Sequence, residues 1–401
     1  MRFWKSEMIR REEEGWSATT GQHVCSGCVN DVALKSALDQ AGDHDEQCDF
    51  CESSPAADMS VLLEIFVSGL KTEFADADNE GVSYDGREGG YQRDRTWDTA
   101  DLVSDFADVL TGDGLVDAVI AAMTDKTWVE VGFAGPRHDE ALSAGWERFC
   151  EAVKYETRYV FWLRADQGEE DEPGAGDIPA ARILQEIGAI VDDDRVGILY
   201  ELPVGLVLWR AQPHDDEGAG LTFTGPRLGT APRDKALRAN RMSPAGIPMF
   251  YGATDKETAF AETAAHDSRP WATAGEFRTS QPCLVVDFTR LPAVPSMFDP
   301  GWRGIRRPLL FLHEFVKDLS KPLVTTDRDQ IDYVPTQIVT EYFLRIHGGG
   351  KLISGILYPS AITNKVCAVL DVPNDRCLDS AGPATGALAL TLINKETRPL
   401  H

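Results

Sequence analysis

Two C-x₂-C pairs, Cys25 with Cys28 and Cys48 with Cys51, stand nineteen residues apart near the start of the chain. Each pair spans one tight turn and offers two thiolates, so together they can close a tetrahedral shell around one structural zinc ion. Gly27 eases the first turn. Reduced surface thiols or a redox pair are the alternative. His23 and His44 lie beside the pairs but are surplus to a shell of four thiolates. With no open position on the metal, hydrolytic chemistry of the zinc-deaminase kind is not expected there. The other cysteines, at 150, 283, 367 and 377, sit mostly in apolar runs and read as core.

The full length, 401 residues, allows two or three domains. A formal net charge of −26, from 65 acidic and 39 basic residues, disfavours nucleic-acid partners, whose phosphates need Lys and Arg. No stretch reaches the roughly 20 apolar residues of a membrane span, and the N-terminal segment lacks the apolar run of a signal peptide. A cytoplasmic protein is therefore expected. From 59 to 163 apolar residues recur at helical spacing in four stripes, among them Leu102, Phe106, Val109 and Leu110, and later Leu142, Trp146, Phe149, Cys150 and Val153. They predict a helical bundle, with a polar loop from Asp76 to Arg95. The acidic run Gln167 to Asp177 reads as a linker. Beyond it strands and helices alternate. The expected class is α+β: a zinc ribbon over 1–57, a helical domain over 58–166, the linker over 167–177, a mixed α+β domain over 178–380 and a peripheral tail over 381–401.

The stretch RMSPAGIPMFYGATDKETAFAE, Arg241 to Glu262, has the most chemical content. Ser243 to Gly246 are turn residues, and Pro248 to Ala253 is a short strand carrying Tyr251. Thr254 and Glu257 have capping-box spacing and predict a helix that presents Glu262, with His266 one turn on. A plain strand-turn-helix with a solvated Glu would read the same way. Further on, YVPTQIVTEYFLR predicts a helix whose Gln337 and Glu341 support the pocket.

That stretch resembles the central motif of the RES domain: an Arg before a Pro/Gly turn, an aromatic strand with Tyr, and an Ala-rich helix with Glu. GILYPSAITNKVCAVL resembles the family's closing motif and would make Ser360 its serine. LVLWRAQ resembles the first strand, with Arg210. The resemblance covers roughly 178 to 375. Ala239 and Asn240 stand where the family often has two glycines, and Met242 where it often has an aromatic residue. The Cys pairs and helices ahead resemble the HEPN/RES N-terminal region, although the Arg and His spacing of HEPN ribonucleases is missing.

The RES resemblance implies an ADP-ribosyltransferase-like sheet and NAD⁺ as substrate, its nicotinamide–ribose bond broken by a glycohydrolase or phosphorylase. Implied roles follow. Glu262 stabilises the ribose cation and orients the attacking water or phosphate, and Arg241 grips ribose or pyrophosphate. Tyr251 meets the nicotinamide end, and Ser360 fixes its neighbours by hydrogen bonds. Arg210 either holds the second phosphate or pairs with an acid such as Asp215 or Asp216. The family also implies a bacterial toxin or defence effector with an antitoxin as partner, and leaves homo-oligomerisation open. Transfer of ADP-ribose to a macromolecule, or a non-catalytic nucleotide-binding module, are the alternatives.

Overall fold

The computed structural model describes residues 14–17, 21–80, 84–85, 90–91, 96–132, 135–166, 176–321, 329–348, 350–380 and 386–401. Over those residues the chain divides into two compact units: Met1–His138 with Gly174–Gly176 and Val294–Arg307, and Asp139–Pro173 with Asp177–Ala293 and Pro308–His401. Most of the expected linker, and most of the expected loop beyond residue 80, lie outside the described residues.

In the first unit, α1 (Val32–Ala41) and α2 (Met59–Glu73) each begin at an aspartate whose carboxylate accepts from helix N–H groups. Asp31 takes Ala33 N and Leu34 N, and Asp58 takes Ser60 N. The buried stripe of α2, Leu62, Leu63, Phe66, Val67 and Leu70, has the spacing of one helix face. Phe66 stacks on Phe298 at 5.1 Å and meets Phe106 edge-on at 5.8 Å. Gly69 is required there, because a Cβ would come 2.4 Å from the Phe298 ring. The stripe at Leu102 to Leu110 becomes only a short helix, Thr99–Ser104, followed by turns. α3 (Leu115–Ala122) completes the set.

The bundle expectation needs correction at its fourth stripe, which forms α4 (His138–Glu151) but packs within the second unit. The reason is its aromatic face. Trp146 stacks on Phe149 at 5.3 Å and meets Phe315 edge-on at 5.0 Å, and its Nε1 donates to Asp318 at 3.2 Å. Phe149 meets Phe161, and Arg148 donates to Ile178 O.

The second unit is built on one mixed sheet. Its strands are β1 (Leu199–Leu202), β2 (Val207–His214), β3 (Phe250–Ala253), β4 (Trp271–Thr279), β5 (Cys283–Asp287), β6 (Ile353–Pro359), β7 (Val366–Leu370), β8 (Cys377–Leu378) and β9 (Leu390–Pro399). Their order across the sheet is β8-β9-β4-β2-β3-β7-β6-β5-β1. Pairing is antiparallel except at β5/β6 and β8/β9. The segment expected as a peripheral tail thus supplies β9, which pairs with β4 along its length, from Trp271 opposite Pro399 to Thr279 opposite Leu390. Its polar residues beyond Leu392 hide the strand from a hydropathy reading.

Between β2 and β3 the ladder narrows to one pair, Trp209 opposite Ala253. Gly252 is needed at this seam, since a Cβ would lie 2.7 Å from the Phe250 ring and 3.1 Å from Trp209 O. α5 (Ile183–Val191), α6 (Lys256–Ala264), α7 (Arg306–Ser320) and α8 (Val334–Arg345) are the longer helices of this part of the chain. α6 covers Trp209, Ala211, Ala253 and Cys367 on one sheet face, while Leu208, Phe250, Phe277, Leu357 and Leu370 form the core on the other.

Trp146→Ala removes a ring with two aromatic neighbours and a hydrogen bond to Asp318, so it should cost about 3–5 kcal/mol in a denaturant melt. Val32→Ala, at an exposed position of α1, should stay within about 0.5 kcal/mol of wild type.

Candidate active site

Arg241 stands at the corner of a closed turn. Asn240 N donates to Ser243 O at 2.8 Å, and Ser243 N returns to Asn240 O at 3.3 Å. Two α8 side chains hold this turn from outside: Thr336 Oγ1 donates to Arg241 O, and Gln337 Nε2 donates to Asn240 O at 2.8 Å. Tyr251 holds it from the sheet, its Oη accepting from Met242 N at 3.2 Å and sharing a 2.9 Å bond with Ser243 Oγ. Burial is the first cause that pushes the Tyr251 phenol up to about 12. Met242 is fully buried beneath the turn, and Arg241 Nη1 donates to Leu319 O at 2.9 Å.

Glu262 and Ser360, ninety-eight residues apart, are joined directly. Ser360 Oγ donates to Glu262 Oε1 at 2.5 Å and accepts from Ile362 N at 3.1 Å and Thr363 N at 3.0 Å. The turn closes through Ser360 N to Lys365 O and Asn364 N to Ser360 O. Asn364 adopts the left-handed conformation at φ 56°, which asparagine tolerates better than most residues. Thr363 Oγ1 meets Thr258 Oγ1 of α6 at 3.0 Å, tying the turn to the helix that carries the carboxylate. The start of α6 differs from the expected capping box: Asp255 is the cap, accepting from Thr258 N at 2.8 Å, while Thr254 Oγ1 bonds Val366 O across the sheet end. His266 lies beyond the helix end and is exposed, so it does not share the Glu262 face.

Cys367 Sγ lies 3.9 Å from Glu262 Oε1, and burial followed by that carboxylate pushes its thiol to about 12. Tyr358, opposite Cys367 in the β6/β7 ladder, was not singled out in the sequence. Burial, then Cys367, Tyr251 and Glu262, drive its phenol well above the ordinary value, with Arg241 pulling the other way. Arg241, Tyr251 and Glu262 therefore all act electrostatically on one phenol.

Arg210 sits differently. Successive strand residues face opposite sides, so Arg210 points away from Trp209 and with Leu208. Its guanidinium lies 5.7 Å from the Phe250 ring, and Nη1 donates to Tyr251 O at 2.8 Å. It thereby closes the seam where β2 and β3 diverge. Neither Asp215 nor Asp216 pairs with it among the described residues, and Asp216 instead accepts from Gly218 N. Burial lowers the Arg210 pKa.

A cavity of about 390 Å³ opens on Arg241. Trp146, Cys150 and Lys154 line it from α4 and the turn that follows, Leu319 from α7, and Thr336 from α8. Lys154 is paired with Asp332 at 3.2 Å. Glu262 and Ser360 do not line this cavity.

In the first unit the four expected cysteines do converge, with all four sulfurs within 4.8 Å of one another. Cys25 lies 3.8 Å from Cys28 and 3.3 Å from Cys51, and Cys28 lies 3.6 Å from Cys48. A tetrahedron with Zn–S near 2.3 Å has edges of about 3.8 Å, so the donor set could bind zinc. Burial and crowding by neighbouring thiols push the Cys25 and Cys28 thiols up, a penalty that a divalent cation would reverse. H-x-E triplets of the zinc-deaminase type do occur in the chain, one as His44-Asp45-Glu46 beside the second pair. His44 is not among the clustered ligands.

The RES domain family matches residues 207–391, and HEPN/RES N-terminal domain 1 matches 41–167. No curated protein matches the chain.

Ser360→Ala strips a partner from Glu262 and from two backbone N–H groups. It should lower unfolding free energy by about 1–3 kcal/mol in a denaturant melt. Asp255→Ala should cost about 1 kcal/mol as a lost helix cap.

Proposed function

We propose that this chain, a RES-domain protein with an HEPN/RES N-terminal region, consumes NAD⁺ by breaking the bond between nicotinamide and ribose. The observation that carries the reading is the Ser360–Glu262 bond, which fixes a carboxylate next to Tyr358 on the sheet face that also bears Tyr251. The bond from C1′ to the ring nitrogen breaks with its electron pair going to nicotinamide, which leaves neutral. The ribose is left cationic, and a carboxylate beside it lowers the barrier. Water then adds at C1′ and gives up a proton, or phosphate adds instead. Glu262 stabilises the cation and orients that nucleophile.

Arg241 supplies the fixed charge. One of its nitrogens is spent on Leu319 O, and the others are left for ribose or pyrophosphate oxygens. Tyr251 acts by holding the Arg241 turn through its hydroxyl. Arg210 supports the Tyr251 backbone and reaches a phosphate only from the seam side. A role as a toxin or defence effector in the cytoplasm, held in check by an antitoxin, rests on the RES domain alone. The four cysteines would hold a structural Zn²⁺, which supplies cross-linking of the first unit and leaves no position for substrate.

Purified protein should release nicotinamide from NAD⁺, and Glu262→Gln should slow this by at least about a hundredfold. Chromatography with and without phosphate identifies the nucleophile, and ADP-ribose attached to protein would point to transfer. No turnover by wild type would sink the reading. Metal analysis should find about one zinc per chain, lost with Cys48→Ser along with a lower melting temperature for the first unit.

A further inference from the structure

Among the polar side chains around Glu262, one hydroxyl is uncommitted. Tyr251 Oη is engaged with Met242 N and Ser243 Oγ, Ser360 Oγ with Glu262, and Arg241 with Leu319 O. Tyr358 Oη has no hydrogen-bond partner among the described residues, although its ring packs against Ala253, Ala259 and Cys367 on the floor beneath α6. The β6/β7 register sets this ring opposite Cys367, the residue whose sulfur lies 3.9 Å from the Glu262 carboxylate. The residue is only partly buried and its hydroxyl stays reachable, so the position beside Glu262 is open to a partner that a ligand brings.

We infer that Tyr358 is the donor that receives the carboxamide of nicotinamide, an inference that rests on the NAD⁺ reading. The alanines around the ring make an apolar floor suited to a flat, neutral heterocycle. A neutral amide oxygen matches a neutral hydroxyl, whereas the sugar and phosphate oxygens match Glu262 and Arg241. Burial keeps the phenol protonated and able to donate. Tyr358 thus fixes the leaving group in front of Glu262, while Tyr251 shapes the turn that carries the arginine.

The test is direct binding of nicotinamide and of ADP-ribose, titrated separately by calorimetry into full-length wild type and Tyr358→Phe, with NAD⁺ turnover of wild type followed in parallel. Removing the hydroxyl alone should weaken nicotinamide by about three- to tenfold. ADP-ribose should stay within about twofold, which also reports a folded site. Equal nicotinamide binding by the two proteins, loss confined to ADP-ribose, or a wild type that does not bind nicotinamide would each overturn the assignment. A wild type that binds nicotinamide but leaves NAD⁺ intact would instead remove the hydrolytic reading, and the comparison of wild type with Tyr358→Phe would still decide the role of Tyr358.

Discussion

Ser360 Oγ is fully used: it donates to Glu262 and accepts from two backbone N–H groups of its own turn. That arrangement makes one hydroxyl the meeting point of α6 and the loop between β6 and β7. The Thr258–Thr363 contact repeats the connection a turn away, so helix and loop cannot shift independently. The Arg241 side is held with similar redundancy, by Thr336 and Gln337 of α8 and by Tyr251 from the sheet. Preorganisation of this kind suits electrostatic catalysis, because donors and charges need not rearrange when charge develops.

The two groups of candidate site residues are carried by different parts of one sheet. Glu262 and Ser360 ride on α6 and the β6/β7 turn, and Arg241 rides on the loop before β3, braced by α8. β3 sits at the narrow seam, joined to β2 by one residue pair and by the Arg210 guanidinium on Tyr251 O. Arg210 therefore works where an ordinary ladder would have placed backbone hydrogen bonds. Its burial without a carboxylate is tolerable because Phe250 and a carbonyl oxygen face it.

Features set by short-range chemistry were legible in the sequence. Each C-x₂-C spacing puts two thiols on one tight turn, although the meeting of the two pairs is a tertiary event, and the α+β alternation of the second half is visible in its hydropathy. Arg241, Tyr251, Glu262 and Ser360 were named from a motif, and no local pattern could have shown that Glu262 and Ser360 touch. Other readings failed for identifiable reasons. Asp255 outcompetes Thr254 as cap, and a helix ending at Ala264 strands His266. α7 shows its helical spacing in Leu309, Leu312, Phe315, Val316 and Leu319, with Pro308 tolerable in the first turn. Tyr358 could not have been found, because its environment is assembled by strand register between distant segments.

α4 has a further meaning for how such a chain can change over generations. The HEPN/RES N-terminal match runs to 167, yet α4 inside it is locked to Phe315 and Asp318 and lines the cavity beside Arg241. A recombination event that exchanged everything ahead of 178 would remove part of the cavity wall and bare an aromatic face. Crossovers that leave a working protein must fall ahead of α4, so this helix is inherited with the sheet whatever precedes it.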